Sequence, residues 1–136
     1  MKESAVEAKL VRGVKDIGGL AFKFVSPGNV GVPDRILIFP NGTIWFVELK
    51  ADGGRLSAMQ KHQIAKLEKA GVLVTVLTGP DEVTQFLQER AEEQRRARSF
   101  EKINERSEVR AEVAKDKALE RDVDAGIPIT VMGHEI

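Results

Sequence analysis

The chain has no cysteine and no long apolar segment, and each absence excludes a class of protein. Without cysteine, neither a disulfide framework nor a cysteine-ligated zinc site can form, which fits a reducing compartment. No stretch approaches the roughly 20 consecutive apolar residues of a membrane helix. No apolar segment follows the amino-terminal residues, so we expect no signal peptide and no membrane partner. These absences predict a cytoplasmic protein.

The chain also has no net charge, because its 21 basic and 21 acidic side chains cancel over the 136 residues. The cancellation hides a difference between the two halves of the chain. Residues 1–70 carry 11 basic and 7 acidic side chains, a net charge of +4, and residues 71–136 carry the remaining 10 and 14, a net charge of −4. A basic first half is compatible with a phosphate-bearing partner. Scattered, solvated charges explain the numbers equally well.

Apolar periodicity and turn residues predict seven elements in a chain long enough for one domain with a buried core. The first is a helix that a Ser4–Glu7 capping box opens and Gly18–Gly19 ends, and three strands follow it, over 20–25, 34–39 and 43–50. A second capping box opens a helix from Ser57 to Gly71. A strand over 72–77 and a helix from Gly79 complete the order. A helix between two strands favours a parallel crossover, so the last strand should join an antiparallel meander. The sequence therefore predicts an α/β fold with an αβββαβ core and a mixed sheet.

The composition changes near residue 91. Residues 91–124 are dominated by Glu, Arg, Lys, Asp and Ala, and their apolar positions are sparse. We therefore divide the chain into a core domain, residues 1–90, and a charged helical tail, residues 91–136. The tail is expected to pack on the core or to serve as a dimerisation arm, and a partly disordered tail is the alternative. A short terminal strand is expected over residues 127–132.

The most informative segment of the core is a hairpin around Pro40-Asn41-Gly42. Pro40 suits the first central position of a type I turn, and Gly42 suits the left-handed position after it. This three-residue loop pairs Phe39 with Thr43. Counting back along both strands, Asp34 lies opposite Glu48. Opposed residues share a face of the sheet, so the two carboxylates should project together.

Lys50 follows Glu48 by two positions and therefore projects from the same face. Two like charges that face each other on a sheet are unfavourable without a cation, and a bound divalent ion removes that conflict. A divalent ion held by Asp34 and Glu48 could activate a water, while Lys50 offsets negative charge on a phosphodiester. The structural alternative is that the three residues are ordinary surface charges on a strand.

These motifs resemble the PD-(D/E)xK nuclease superfamily, whose core has the same αβββαβ order. Three segments together are similar to its VRR-NUC branch: Gly31-Val32-Pro33-Asp34-Arg35, Glu48-Leu49-Lys50 and Leu56-Ser57-Ala58-Met59-Gln60. The likeness covers about residues 4–88. It implies a restriction-endonuclease-like fold and hydrolysis of DNA with Mg²⁺ or Mn²⁺. Small stand-alone members, of phage or prophage type, dimerise and some cut four-way (Holliday) junctions, which implies a bacterial or phage-infected cell.

The resemblance also implies roles for individual residues of the hairpin. Asp34 and Glu48 correspond to the metal-binding acids of the family. Leu49 would ligate the metal through its backbone carbonyl while its side chain packs into the core. Lys50 corresponds to the lysine that orients or activates the attacking water.

Two further residues correspond to family positions and have a competing structural role. Glu7 corresponds to an acid of the first helix that can reach the metal or its water, but it also occupies the acid position of the Ser4 capping box. Gln60 corresponds to a glutamine of the second helix that supports the site, but it also completes the Ser57 capping box. Three basic residues near the expected site are candidate DNA contacts, with solvation as the alternative: Lys23, Arg35 and Arg55.

We therefore expect a metal-dependent DNA endonuclease that works as a homodimer, with branched or four-way junction DNA as a candidate substrate. The sequence shows no base-reading motif, so recognition of DNA shape and backbone is favoured. One rival is a catalytically inactive DNA-binding or assembly protein on the same fold. A second rival is an accessory module whose helical tail is the functional part.

Overall fold

The computed structural model describes residues 1–124, with side chains described through residue 120. The elements are α1 (Glu3–Ile17), β1 (Leu20–Lys23), β2 (Arg35–Ile38), β3 (Ile44–Lys50), α2 (Ala58–Lys69), β4 (Leu73–Thr78) and α3 (Gly79–Asp124). This order confirms the prediction, and the strand expected over residues 127–132 lies outside the described residues. Up to residue 124, none of the helices combines the length and the apolar character needed to cross a membrane.

The four strands form one mixed sheet in the order β1-β2-β3-β4. β1 pairs antiparallel with β2, and β2 pairs antiparallel with β3. β4 runs parallel to β3, because the chain crosses over through α2 before it rejoins the sheet. The α/β fold with an antiparallel meander and a parallel last strand is therefore confirmed.

The hairpin between β2 and β3 has the register that its turn residues predict. The Phe39 N–H donates to the Thr43 carbonyl at 2.9 Å, and the Gly42 N–H donates to the Phe39 carbonyl at 2.8 Å. Gly42 has a φ of 87°, the left-handed conformation that this loop requires. Ile36 consequently pairs with Phe46, as the predicted loop requires.

The hydrophobic core lies between one face of the sheet and the helices α1 and α3. Side chains alternate along the strands, so each strand sends every second residue into this core. The buried cluster contains Val6, Leu10 and Val14 from α1, Leu37, Val47, Leu49 and Leu77 from the sheet, Phe39 from the turn, and Val83 and Phe86 from α3. The opposite face therefore carries the alternate residues of β2 and β3, and α2 packs on that side.

The first turns of α3 are attached to the β2–β3 hairpin. The Arg90 guanidinium lies 4.5 Å from the ring centre of Trp45 and 4.8 Å from that of Phe86. The Gln94 side-chain oxygen accepts a hydrogen bond from the Asn41 N–H at 2.8 Å. A first compact unit accordingly comprises Met1–Arg96, and a second begins at Ala97.

The two predicted capping boxes have different outcomes. α1 begins at Glu3, with Lys2 as the N-cap residue and no side-chain cap, so the Ser4–Glu7 capping box is wrong. The helix starts before Ser4, which places that serine inside the first turn. The Ser57–Gln60 box is confirmed, with both reciprocal hydrogen bonds present.

Candidate active site

Asp34, Glu48 and Lys50 meet where β2 begins and β3 ends. The β2–β3 register, continued by one residue, places Asp34 opposite Glu48. The carbonyl of Asp34 accepts a hydrogen bond from the Phe24 N–H at 2.7 Å, which ties this position to the end of β1. The Lys50 ammonium lies 3.8 Å from the Glu48 carboxylate. The three residues that the hairpin pattern grouped are therefore neighbours.

Glu48 is a buried carboxylate whose pKa is displaced upward. Its exposed fraction is 7%, and this burial raises its pKa to about 7, with the nearby Asp34 charge as the next contribution and Lys50 acting in the opposite direction. Asp34 itself is exposed. A buried carboxylate that faces a second carboxylate is costly unless a cation joins them. The pair therefore has the electrostatic character of a cation site.

Gln60 takes part in the helix cap and in the site at the same time. Its side-chain oxygen accepts a hydrogen bond from the Ser57 N–H at 2.9 Å, and its backbone N–H donates to the Ser57 hydroxyl at 3.1 Å. Its side-chain amide donates to the Glu48 carboxylate at 2.8 Å. The capping and the site-supporting interpretations of Gln60 thus both hold, the first through the oxygen and the second through the nitrogen of its side-chain amide.

Glu7 is held by two cations from the neighbouring strands. The Arg35 guanidinium donates to its carboxylate at 2.7 Å, and the Lys23 ammonium lies 3.3 Å away. The hydrogen bond from Arg35 is the largest of the contacts that keep the pKa of Glu7 below its ordinary value. Arg35 is buried, with 9% exposure. Of the three candidate DNA contacts, Arg35 and Lys23 therefore bind Glu7, while Arg55 is exposed in the loop after β3.

Glu3 is a residue that sequence reasoning missed. It lies one helical turn before Glu7, and its negative charge contributes to the raised pKa of Glu48. The signal that could have found it is the spacing of four residues, which places Glu3 and Glu7 on one side of α1. Glu7 is thus the acid of the first helix that contacts the strands, and Glu3 acts electrostatically on Glu48.

The loop that delivers Asp34 is anchored on the start of α2, and sequence reasoning missed this contact too. Gly31 has a φ of 89°, and a Cβ there would lie 2.7 Å from the backbone of Met59 and 2.8 Å from that of Gln60. Gln63 donates from its side chain to the Val30 carbonyl at 3.3 Å. A glycine is required because no side chain fits between the loop and the helix. The anchor holds the loop beside Gln60.

The donor set at this position suits a hard divalent cation that keeps much of its hydration. Within residues 1–124, no group of three or more His, Asp or Glu side chains could hold a metal ion by themselves. Asp34 and Glu48 supply carboxylate oxygens, and the Leu49 backbone carbonyl is a third oxygen candidate beside them. Mg²⁺ binds through one or two carboxylates and retains several waters, so these residues fit it.

Comparison with known proteins points to one family. Residues 15–81 match the VRR-NUC domain. The putative nuclease p44 of Acyrthosiphon pisum secondary endosymbiont phage 1 is 47% identical over 81 residues, which cover 60% of this chain and 87% of that protein. A solved VRR-NUC domain is 29% identical with a TM-score of 0.61, covering 65% of this chain and 96% of its own. A second solved VRR-NUC domain protein, 20% identical, has the same fold, with a TM-score of 0.53 over 68% of this chain and 89% of its own.

Proposed function

Because the chain belongs to the VRR-NUC domain family, we propose that it is a metal-dependent nuclease that hydrolyses the phosphodiester bonds of DNA. The observation that carries the proposal is the pairing of Asp34 with the buried Glu48, whose pKa is raised to about 7 by burial and by the facing carboxylate. This pair favours a divalent cation at a position where Lys50 provides a positive charge 3.8 Å from Glu48. The relative of phage origin, a putative nuclease, supports the same activity.

Asp34, Glu48 and the backbone carbonyl of Leu49 are the residues that would hold Mg²⁺ or Mn²⁺. When bound, such an ion lowers the pKa of a coordinated water and stabilises negative charge on the scissile phosphate. Glu48 must lose its proton for this purpose, so its raised pKa couples metal binding to proton release. Gln60 fixes the orientation of the Glu48 carboxylate through its amide.

Lys50 is the residue that would supply a positive charge to the scissile phosphate. Its side chain is only 18% exposed, so the ammonium is partly shielded from water beside Glu48. A fixed ammonium in such a position stabilises charge that develops on the phosphate and can orient the attacking water. Among the acids of α1, Glu7 is already paired with Arg35 and Lys23. The Glu7 carboxylate would therefore have to give up one of these partners to reach metal-bound water.

Comparison of a Gln60→Met variant with Ser57→Ala distinguishes the capping role of Gln60 from its role in the active site. Both substitutions remove hydrogen bonds of the capping box, and each is expected to lower stability by about 1 kcal/mol. Gln60→Met also removes the donor to Glu48, so its cleavage rate is expected to fall a further ten- to hundredfold. Urea denaturation and single-turnover cleavage measure the two effects. Equal cleavage rates in both variants would show that Gln60 acts only as a cap.

Substrate recognition is proposed to use DNA shape and backbone. The basic first half of the chain favours phosphate contacts, which position DNA without reading its sequence. Branched DNA such as a four-way junction is the candidate substrate, since a two-fold dimer would present two sites to a symmetric branch. The phage origin of the putative nuclease p44 suggests that this protein acts in the cytoplasm of a bacterial or phage-infected cell.

The proposed activity is tested with a panel of labelled linear, nicked, flap and four-way DNA. Purified full-length protein is incubated with each substrate in Mg²⁺, in Mn²⁺ and in EDTA, and products are resolved on denaturing gels. Cleavage that requires the divalent ion supports the proposal, and a preference for the junction supports the branched substrate. If every DNA form stays uncut in both metals, the nuclease proposal is wrong.

The rival function is DNA binding or assembly without cleavage on the same fold. Asp34, Glu48 and Lys50 are all present and adjacent, which favours the enzyme. The rival predicts that wild type binds DNA in EDTA with the same affinity as in Mg²⁺ and never cuts it. An accessory function of the tail predicts instead that removal of residues 97–136 eliminates activity while the first compact unit stays folded.

A homodimer is proposed because one face of the sheet exposes a contiguous set of apolar side chains. Leu20 and Phe22 of β1 are each 53% exposed, and Ile44 of β3 is 47% exposed. The strand register places them on the face opposite α1 and α3, where they form the apolar sheet face: Leu20, Phe22, Ile36, Ile38, Ile44 and Phe46. Exposed apolar patches of this kind mark interaction surfaces. Glu48 and Lys50 continue the same face along β3, so a second copy would bring two sites together.

A Phe22→Asp variant is expected to convert the proposed dimer into a monomer. The substitution places a charge on the β1 edge of the apolar sheet face, where it would have to be buried on association. Sedimentation velocity measures the mass, and circular dichroism reports the fold. Leu73→Asp is the matched control, because Leu73 is 43% exposed on the opposite edge of the sheet.

The tail provides the competing explanation of a dimer. The structure shows that a truncation should start at Ala97, since Gln94 is 1% exposed and bound to the hairpin. A chain ending at Arg96 that stays dimeric, together with a monomeric Phe22→Asp variant, supports the sheet face. A dimeric Phe22→Asp variant combined with a monomeric truncated chain assigns the interface to the tail.

A further inference from the structure

A groove of about 440 Å³ runs along the side of α1 that faces the start of β2. Small or short side chains leave the room for it: Ser4, Ala8 and Val11 line it on the helix. Arg12 and Lys15 border it toward the end of α1, and Arg35 borders it from the sheet. Its volume falls within the roughly 300–1,000 Å³ that ligand sites usually have.

The unpaired charges of this α1 groove are positive. Glu7, an acid that lines it, is paired with Arg35 at 2.7 Å and with Lys23 at 3.3 Å. Arg12 and Lys15 are exposed, and in the described part of the chain neither of them forms a salt bridge. An anionic ligand in the groove would therefore meet two available cations and an acid whose charge is already compensated.

The α1 groove leads away from the candidate active site. Arg35, which borders it from the sheet, directly follows the site residue Asp34 in the chain. Lys15 lies 11 residues beyond Ser4, which lines the other end of the groove, a distance of about 17 Å at the helical rise of roughly 1.5 Å per residue. Phosphates of one DNA strand recur about every 3.4 Å along the duplex axis. A duplex whose axis runs along α1 over this length presents about five phosphates of each strand.

We propose that the α1 groove binds the phosphodiester backbone of the substrate DNA on a stretch beyond the scissile phosphate, with Arg12 and Lys15 as the phosphate contacts. The proposal rests on the proposed nuclease function and specifies how the same site receives its substrate. Contacts of this type fix the position of the strand and carry no base information. They add affinity that depends on salt concentration.

The test compares two double variants of the full-length protein. Arg12→Gln with Lys15→Gln removes both groove cations, and Lys66→Gln with Lys69→Gln removes two exposed cations from the last turn of α2 as a matched control. Anisotropy of a labelled duplex is measured in EDTA, where no cleavage occurs, over a series of salt concentrations. The groove variant is expected to bind at least tenfold more weakly at low salt. Its log–log salt slope should be shallower by about 0.9 for each lost phosphate contact.

An Ala8→Glu variant provides a second, independent perturbation. Ala8 is exposed on α1, and a glutamate there keeps the helix but places an anion in the groove. It should weaken duplex binding by a similar factor. Thermal melting confirms that each variant is folded, and single-turnover cleavage by the Lys66→Gln, Lys69→Gln control should stay within twofold of wild type.

Three results would overturn the groove proposal: unchanged affinity in the groove variants, an unchanged salt slope, or an equal loss in the α2 control. A groove that binds an acidic protein segment instead would give the first of these. The binding measurement needs no cleavage, so it tests the groove even when wild type cuts none of the DNA forms. Wild-type cleavage combined with unaffected binding by the variants would reject the groove and leave the nuclease proposal intact.

Discussion

An Asp34→Asn variant is expected to lose metal-dependent DNA cleavage by at least about a hundredfold while the protein stays folded. The substitution keeps the shape of the side chain and removes the charge that faces Glu48. A cation held by Asp34 and Glu48 would lose one of its two carboxylates, and even residues that only support metal ligands typically contribute ten- to hundredfold. Single-turnover cleavage in Mn²⁺ and calorimetric titration of Mn²⁺ measure the two losses.

At pH 8, where Glu48 is ionised, the same variant should have a more stable metal-free fold, because the Asp34 charge that repels the buried Glu48 carboxylate is gone. A gain in stability together with a loss of cleavage distinguishes removal of a metal ligand from general unfolding of the protein. Asp16→Asn is the matched control, an exposed acid at the far end of α1, and it should leave cleavage and metal binding unchanged. Cleavage by Asp34→Asn within tenfold of wild type would contradict the assignment of Asp34 as a metal ligand.

The metal-free protein is expected to lose about 2–3 kcal/mol of stability between pH 5 and pH 8 through Glu48 alone. Its pKa of about 7 in the folded protein lies above the ordinary value of 4.5. The protonated form is therefore favoured by folding, and that stabilisation is fully present below about pH 4.5. It is lost as the pH rises through 7, where the buried carboxylate must ionise.

A Glu48→Gln variant isolates this contribution, because glutamine fills the same space and does not titrate. Urea denaturation in EDTA can be followed by the fluorescence of Trp45, the single tryptophan of the chain. The difference in stability between wild type and variant should change with pH between 5 and 8. Mg²⁺ should restore the stability of wild type at pH 8 and have no such effect on the variant. A pH dependence that is identical in both proteins would show that Glu48 is not the responsible group.

The hairpin register was predictable because it depends on residues adjacent in the chain. Pro40 and Gly42 permit a three-residue loop, and the pairing of Phe39 with Thr43 then determines every pair behind it. The adjacency of Asp34 and Glu48 follows from this counting. The order of helices and strands was predictable for the same reason, since periodicity is a property of short segments.

The environment of each acid was not predictable from local sequence. Glu7 was expected either to cap α1 or to reach the metal; the helix begins earlier, so the cap is wrong, and the carboxylate binds Arg35. The two residues are 28 positions apart, and only the packing of α1 on the sheet joins them. The anchoring of the 26–34 loop through Gly31 likewise depends on the position of α2.

Local sequence was enough to predict which chemical groups share a strand face: the acids Asp34 and Glu48 and the lysine Lys50 lie on a hairpin of defined register. The acidity of Glu48 was not predictable in this way, because it depends on packing. Burial to 7% exposure raises the pKa of Glu48, and the hydrogen bond from Gln60 orients its carboxylate. Register follows from contacts between near neighbours, whereas desolvation depends on elements that lie far apart in the chain.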